Sequence, residues 1–279
     1  DVKLTGLRGG HSGVDIHLQR GNAIKLLARA LYSVSLKTPF HLAGFQGGNK
    51  HNAIPREAFA VVAVAKDQHE AFRSALQREF EAIAEEFRPA DPDMKLEVSP
   101  DADVTSMWDA NTTTTVLRLL VALPHGVLSM SYDIPDLVET STNLAVASVE
   151  NDRLNVLMSS RSSVATALQA TRQRIRAIAS LAGAEVEEGE GYPGWKPNMD
   201  SELLKVMKKV HKELFGKEPE VKAVHAGLET GIIGEKYPGM DMISFGPQIE
   251  FPHSPDERVK IDSVERFYKL LVATLKELA

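Results

Sequence analysis

The chain has 279 residues, of which 43% are hydrophobic and 25% charged, and it carries a net charge of -6 at pH 7 with a pI near 5.9. This balance is typical of a globular protein and excludes intrinsically disordered and collagen-like chains. It gives no electrostatic case for binding nucleic acid, so a small-molecule or peptide partner is favoured.

The sequence contains no cysteine. This excludes disulfides, thiolate zinc sites and a cysteine nucleophile, so any metal would be held by His, Asp and Glu, and the composition is compatible with the cytoplasm. No apolar run approaches the roughly 18 residues of a membrane span, and the amino terminus has no signal-peptide pattern. The chain opens in mid-strand without an initiator Met, which predicts that it is a piece of a longer protein.

The first hundred residues alternate between strand-like and helix-like patterns. Strands are predicted at DVKLTGL, PFHLAGFQGG, EAFAVVAVAK and MKLEVSP, and helices at NAIKLLARALYSV and DQHEAFRSALQREFEAIAEEF. The order β-α-β-β-α-β predicts a ferredoxin-like α+β unit, an antiparallel sheet with helices on one face.

A second block repeats this order without its opening strand. Helices are predicted at TTTTVLRLLVAL and VATALQATRQRIRAIASLAG, a hairpin at STNLAVASVE and RLNVLMSSR, and a strand at AEVEEGE. Asn151 and Asp152 are the predicted hairpin turn. The two blocks, about 1–100 and 101–192, therefore form a tandem of ferredoxin-like halves, and the aperiodic segment GYPGWKPNMD follows them.

The remaining residues, 193–279, have an α/β pattern. Helices are predicted at SELLKVMKKVHKELFG, with Ser201 as N-cap, at LETGIIGEKY and at DSVERFYKLLVATLKEL, and strands at VKAVHAG and MDMISFG. Alternating strands and helices favour a parallel or mixed sheet. Two strands are too few for an independent domain, so this segment is predicted to be the end of a larger α/β domain whose first part is absent.

Two histidines stand in segments suited to chemistry. His253 follows a predicted strand and lies between two prolines, a rigid position that suits a metal ligand or base. His11 lies among glycines in GGHSG, where close backbone approach would let it stabilise an oxyanion. Taken alone, each is more often an ordinary solvated loop histidine.

Other polar residues allow similar alternatives. The Asn52 amide could orient a carbonyl, and the Arg161 guanidinium could hold a carboxylate in two-point fashion, although each, taken singly, is more often a turn residue or a surface charge. HAGLETG places Glu229 where a strand meets a helix, which suits either an anion site or plain capping. The chain has no H-E-x-x-H, G-x-S-x-G, Walker or G-x-G-x-x-G motif, and no H-x-D pair.

Several segments, taken together and in order, carry a family resemblance over essentially the whole chain. They are GLRGGHSGVDIHLQRGNAIKLLARAL, HNAIPREAFA, ETSTNLA, GYPGW, HAGLETG and EFPHSPDE. The chain closely resembles the aminoacyl-histidine dipeptidases, the cytosolic Xaa-His branch of the M20 metallopeptidases. The joint pattern is more specific than any single residue in it.

The resemblance implies an enzyme that removes the N-terminal residue from dipeptides such as Xaa-His, using two zinc ions. It implies a lid domain over residues 1–192, and for residues 193–279 the C-terminal part of an α/β catalytic domain. The implied partners are a dipeptide substrate and a second copy in a homodimer, with neither nucleic acid nor membrane.

By position, the resemblance makes His253 the last metal ligand and His11 the residue that steadies the tetrahedral oxyanion. Asn52 and Arg161 would hold the substrate carbonyl and carboxylate, and Gly227 and Glu229 would line the pocket. The implied chemistry is metal-assisted hydrolysis, in which two ions polarise the carbonyl and activate a water whose proton a glutamate takes.

The sequence departs from the family in its metal ligands. The H-x-D segment, the bridging Asp and the adjacent Glu-Glu pair belong to the family's N-terminal part, which would precede Asp1. One imidazole is far short of a zinc ligand set, so we expect the 279-residue chain neither to hydrolyse dipeptides nor to bind zinc tightly. Two alternatives remain: a non-catalytic ferredoxin-like ligand-binding or dimerisation module, and an M20 tripeptidase or deacylase.

Overall fold

The computed structural model of the protein describes residues 1–100, 104–191, 193–195, 198–222, 229–250 and 257–279. These residues form two compact units, the first built from Asp1–Glu190 and the second from residues after Gly191. Most of the predicted strand VKAVHAG lies outside the described residues.

The first unit alternates strands and helices. In chain order its elements are β1 (Val2–Thr5), β2 (Gly10–His11), α1 (Ala23–Ser35), β3 (His41–Gly47), β4 (Ala53–Ile54), β5 (Ala58–Ala63), α2 (His69–Phe87), β6 (Lys95–Val98), α3 (Ala110–Ala122), β7 (Gly126–Met130), β8 (Val138–Glu150), β9 (Arg153–Ser162) and α4 (Ala165–Leu181), with 3₁₀ turns at Ile16–Leu18 and Lys66–Gln68. The predicted β-α-β-β-α-β order of the first half is confirmed, with two short strands, β2 and β4, added to it.

A single antiparallel sheet runs through both halves of the first unit. Seven strands of the described chain pair in the order β6-β1-β5-β3-β8-β7, with β9 on the other edge of β8. Gly47 of β3 pairs with Ala147 of β8, while β7 pairs with the beginning of β8, so β3 and β7 lie end to end along one edge. The antiparallel pairing is as predicted, but the two halves share one sheet rather than carrying one each.

Residues from the second half bond to the outer edge of β3 at both of its ends. The Leu42 carbonyl accepts a hydrogen bond from the Trp108 main-chain N–H at 2.8 Å, and the Leu42 N–H donates to Thr113 Oγ1 at 3.0 Å. Gly47, at the end of β3, meets Ala147. The two halves are therefore joined by main-chain hydrogen bonds as well as by apolar packing.

Helix α1 forms the centre of the core. Its N-cap is Asn22, whose side chain accepts a hydrogen bond from the Lys25 N–H, and its apolar positions recur at helical spacing. Leu27 and Leu31 are fully buried on this helix, which packs against α2, α3 and the sheet. The core of both halves is thus one continuous apolar cluster.

The hairpin turn between β8 and β9 is confirmed. Asn151 and Asp152 have φ of 51° and 60°, and Glu150 pairs directly with Arg153. Two consecutive positive φ values characterise the type I′ turn, whose twist matches that of the flanking strands. The turn sets the register of β8 against β9 as far as the pair Val146 and Leu157. A one-residue shift between Leu144 and Val146 sets the register of the earlier part of β8, and this register decides which side chains share a face of the sheet there.

The end of the second half differs from the prediction. The segment AEVEEGE forms no strand, whereas Gly126–Met130, which was not predicted, forms β7. Glu188 pairs instead with Arg172 and Arg176 of α4. Ion pairs to the preceding helix therefore hold this acidic segment, in place of a strand ladder.

The second unit is mainly helical. Its elements are α5 (Glu202–Phe215), α6 (Glu229–Lys236), β10 (Ile249–Glu250), β11 (Arg258–Val259) and α7 (Ile261–Leu278). The Ser201 hydroxyl caps α5 by accepting from the Leu204 N–H at 2.9 Å, as predicted, and Lys209 of α5 pairs with Glu277 of α7 at 2.6 Å.

The predicted parallel or mixed sheet of the second unit is wrong for the described residues. MDMISFG is neither a strand nor buried as a whole, and β10 and β11 form an antiparallel pair. An extended apolar segment becomes a strand only where a neighbour pairs with its main chain. Within the described parts of both units, no helix is long and apolar enough to cross a membrane.

Candidate functional site

A short two-stranded ribbon, β2 paired with β4, brings two predicted site residues together. His11 pairs with Ala53, and the Ser12 N–H donates to the Asn52 carbonyl at 2.8 Å. His11 and Asn52, about forty residues apart in sequence, are thus on adjoining positions of one ribbon. We refer to residues 10–12 and 52–54 as the β2–β4 ribbon.

The orientation of His11 is fixed by its own loop. Nδ1 of His11 accepts hydrogen bonds from the N–H groups of Gly13 and Val14, each at 3.1 Å. In the neutral ring the proton is therefore on Nε2, which makes Nε2 the donor. The His11 N–H donates to Asp15 Oδ2 at 2.8 Å, and a Cβ on Gly10, whose φ is +143°, would lie 2.7 Å from that same oxygen. Glycine at position 10 thus allows the close approach that holds the loop.

Arg161 stands on β9, opposite Ser141 of β8. Burial lowers the pKa of its guanidinium, and its Nε is buried without a hydrogen-bond partner among the described residues. A desolvated guanidinium gains most from a carboxylate, which it can bind through two parallel hydrogen bonds. This environment suits the substrate-carboxylate role predicted for it.

Asn143 links the β2–β4 ribbon to β8. Its Nδ2 donates to the Ala53 carbonyl at 2.8 Å, the residue is 1% exposed, and its Oδ1 has no partner in the described chain. The sequence reasoning gave this residue no role, although it lies in ETSTNLA. The signal in the sequence was a run of four polar residues, Thr140–Asn143, just before an apolar stretch. In the structure all four are buried.

The two faces of this part of β8 serve different purposes. On one face Thr140 and Thr142 form hydroxyl pairs with Ser162 and Ser160, at 2.9 and 2.8 Å. On the opposite face Asn143 and the Ser141–Arg161 pair lie beside the ribbon, because side chains alternate along a strand. The first face is satisfied internally, whereas the second has buried polar atoms left without partners.

Three of the five buried, unpartnered side-chain polar atoms that occur among the described residues belong to this site. They are Ser12 Oγ, Asn143 Oδ1 and Arg161 Nε. Buried polar groups in native proteins are normally hydrogen-bonded, so a cluster of exceptions indicates groups that a ligand or another part of the protein satisfies. Among the described residues, the site therefore has buried polar atoms without partners beside the ribbon that carries His11 and Asn52.

The remaining predicted site residues belong to the second unit. Glu229 is the first residue of α6 and is exposed, and Gly227 and His253 lie outside the described residues. In the described ranges, no group of three or more His, Asp or Glu residues is arranged to hold a metal ion. These residues alone therefore do not fit a zinc centre.

A separate cavity of about 450 Å³ is lined by Lys25 and His125. Nζ of Lys25 donates to the carbonyls of Leu120, Val121 and Leu123 at the end of α3, at 2.5–3.0 Å. Burial, and secondarily the charge of Arg174, lower its pKa to about 8. Burial, with a smaller contribution from Lys25, lowers the pKa of His125 to about 4, so this imidazole is neutral at pH 7. None of the predicted site residues lines this cavity.

Comparison with known proteins agrees with the resemblance. Residues 2–92 match the M20 peptidase dimerisation domain. The chain is 38% identical over 277 residues to a cytosol non-specific dipeptidase of Escherichia coli K12. The aligned region covers 99% of the chain and 57% of that relative. The chain is a homologue of this dipeptidase.

A solved structure gives the same result. The aminoacylhistidine dipeptidase of Vibrio alginolyticus superposes with a TM-score of 0.91 at 38% identity, over 99% of the chain and 56% of that protein. The predicted resemblance to M20 dipeptidases is therefore confirmed, together with a mixed α/β fold containing antiparallel sheets. The chain spans little more than half the length of either relative.

Proposed function

We propose that this chain belongs to a metal-dependent dipeptidase that hydrolyses dipeptides of the Xaa-His type. The proposal is supported by the pairing that places His11 beside Asn52 and by the Asn143 bond that joins their ribbon to β8, the strand on which Ser141 pairs with Arg161, in a chain homologous to dipeptidases. These side chains match the groups of a dipeptide around its scissile bond: a carbonyl oxygen and, one residue later, a carboxylate.

His11 and Asn52 act on the carbonyl oxygen. Negative charge develops on this oxygen as the tetrahedral intermediate forms, and an Nε2–H already held in place by the two bonds to Nδ1 stabilises it without reorganisation. The Asn52 amide supplies a second donor. Arg161 binds the terminal carboxylate, which offsets the burial of its own charge.

We further propose that His253 contributes one ligand to a pair of zinc ions whose other ligands come from residues outside this chain. One imidazole is insufficient for a catalytic zinc, which needs three protein ligands. Two zinc ions would supply a water of lowered pKa and a polarised carbonyl. Residues 1–192 would then be the lid and residues 193–279 the C-terminal part of the catalytic domain, with Gly227 and Glu229 lining the pocket.

The proposed function extends to the protein's oligomeric state, location and substrate. The match of residues 2–92 to a peptidase dimerisation domain supports a homodimer. The name of the Escherichia coli relative supports a cytoplasmic location, and the substrate is a dipeptide rather than nucleic acid or membrane lipid.

The test is hydrolysis of β-alanyl-histidine by the longer protein that contains this chain. We expect activity that chelation abolishes and zinc restores, while the 279-residue chain alone neither turns over the substrate nor binds zinc tightly. Turnover by the isolated chain would overturn the divided metal site. Failure of the longer protein on dipeptides, with activity on tripeptides or acylated amino acids, would reassign the substrate. No hydrolysis of any of these would favour a non-catalytic module.

A further inference from the structure

We infer that Asn143 is a positioning residue that sets the distance between the carbonyl-binding pair, His11 and Asn52, and the carboxylate-binding Arg161. The spacing restricts the site to peptides with a single residue after the scissile bond. This inference rests on the proposed function and adds the residue that determines substrate length.

The first step is the hydrogen bond from Asn143 to the ribbon. Its Nδ2 donates to the Ala53 carbonyl at 2.8 Å, and Ala53 is both the residue after Asn52 and the pairing partner of His11. One side chain from β8 thus holds the position of both carbonyl-binding residues. The orientation of the amide follows from this contact, since the reverse orientation would set two oxygens against each other.

The second step is the register of β8 and β9. Arg161 pairs with Ser141, which lies two residues before Asn143 on the same face of β8. The two positions on β8 are separated by about 7 Å, because a strand rises about 3.3 Å per residue. The register here is that of the ladder beyond the one-residue shift between Leu144 and Val146, where Asn143 pairs with Ser159. Asn143 and Arg161 are therefore at a set offset on one rigid sheet.

The third step compares this offset with a peptide. One residue of extended chain adds about 3.3–3.6 Å, so a tripeptide carries its carboxylate that much further from the scissile carbonyl than a dipeptide does. We expect a ribbon bonded to β8 through Asn143 to resist a displacement of this size more strongly than a ribbon without that bond. The bond to Ala53 therefore distinguishes peptides that differ by one residue.

The neighbouring Thr142 provides a matched control on the same strand. Its hydroxyl pairs with Ser160 at 2.8 Å on the other face of β8, and the residue is completely buried. Thr142→Val removes a buried side-chain hydrogen bond, as Asn143→Leu does, but leaves the ribbon's attachment intact. A purely structural role for Asn143 would make the two variants behave alike.

The first measurement uses the 279-residue chain and needs no activity. Hydrogen exchange at the Ser12 amide, which donates to the Asn52 carbonyl, reports whether the ribbon is held in place. We expect Asn143→Leu to raise this exchange rate by at least about tenfold relative to the global rate, and Thr142→Val to leave the ratio unchanged. Equal ratios in the two variants would overturn the positioning role.

The second measurement uses the longer protein and compares kcat/KM for β-alanyl-histidine with that for a tripeptide extended by one C-terminal residue. We expect Asn143→Leu to lower the dipeptide-to-tripeptide ratio by about tenfold, mainly through KM for the dipeptide, and Thr142→Val to preserve it. An unchanged ratio would overturn the length selection. If the parent protein hydrolyses no dipeptide, the proposed function fails, and the exchange measurement still decides whether Asn143 positions the ribbon.

Discussion

Lys25 makes stability depend on pH in a way that the structure quantifies. Its pKa is about 8 in the folded protein and 10.5 in the unfolded chain, mainly because burial disfavours the charged form. Between these pH values the unfolded chain binds more protons than the folded protein, so the free energy of unfolding rises with pH. At about 1.4 kcal/mol per pKa unit, the gain contributed by Lys25 approaches about 3 kcal/mol at pH 10.5.

The variant Lys25→Met isolates this contribution. It retains an unbranched side chain but removes the titrating group and its hydrogen bonds to the end of α3. Urea unfolding in a Trp195→Phe background, where Trp108 fluorescence reports the first unit, measures the free energy at pH 7.5, 9 and 10.5. We expect the free energy of unfolding of the wild-type protein to rise, relative to that of the variant, by up to about 3 kcal/mol across this range.

Lys37→Met, a substitution of an exposed lysine, is the matched control and should follow the wild-type curve. If the difference in free energy of unfolding between wild type and Lys25→Met stayed constant from pH 7.5 to 10.5, the lowered pKa of Lys25 would be refuted. Such a result would mean that the three carbonyls compensate fully for the burial of the ammonium group.

Three further predictions concern other residues. The pKa of His125 is about 4 in the folded protein and 6.5 in the unfolded chain, so the free energy of unfolding should fall by up to about 3 kcal/mol as pH drops from 6.5 to 4. His125→Gln should remove this part of the acid sensitivity in the same urea assay. Gly48→Ala should destabilise the chain by more than about 2 kcal/mol in thermal unfolding. The reason is that Gly48 has a φ of +67° and that a Cβ there would lie 2.0 Å from the Ala145 carbonyl oxygen. A loss of stability below about 1 kcal/mol would contradict that contact. In the longer protein, His11→Ala should lower kcat by about 100-fold with less effect on KM, whereas a pure KM effect would assign His11 to ground-state binding.

Local patterns predicted the elements that local chemistry determines. The β-α-β-β-α-β order, the Ser201 cap and the turn at Asn151 and Asp152 all depend on residues close in sequence. Local patterns could not predict that the two halves join into one sheet, because this depends on pairs that are distant in sequence, such as Gly47 with Ala147. MDMISFG has the composition of a buried strand, but composition does not supply a pairing partner.

The same limit applies to the candidate site. Motifs predicted His11, Asn52 and Arg161 as site residues, whereas the ribbon that pairs the first two segments and the strand register of Arg161 came only from the structure. Asn143 was missed because its role depends on a carbonyl ninety residues away. Its polar neighbours in β8 were visible in the sequence, but their burial was not, because a strand pattern does not reveal which face another segment covers.

The covering of β3 by later residues also has a consequence for synthesis of the chain. In the described part of the chain, main-chain groups on its outer edge bond to Trp108, Thr113 and Ala147. A ribosome adding about 5–20 residues per second needs roughly 5–20 s to extend the chain from β3 to β8. During this interval the nascent first half presents an open strand edge, and such edges pair readily with other chains. Aggregation of this protein is therefore most favoured while it is being made, before the strand that closes its sheet has left the ribosome.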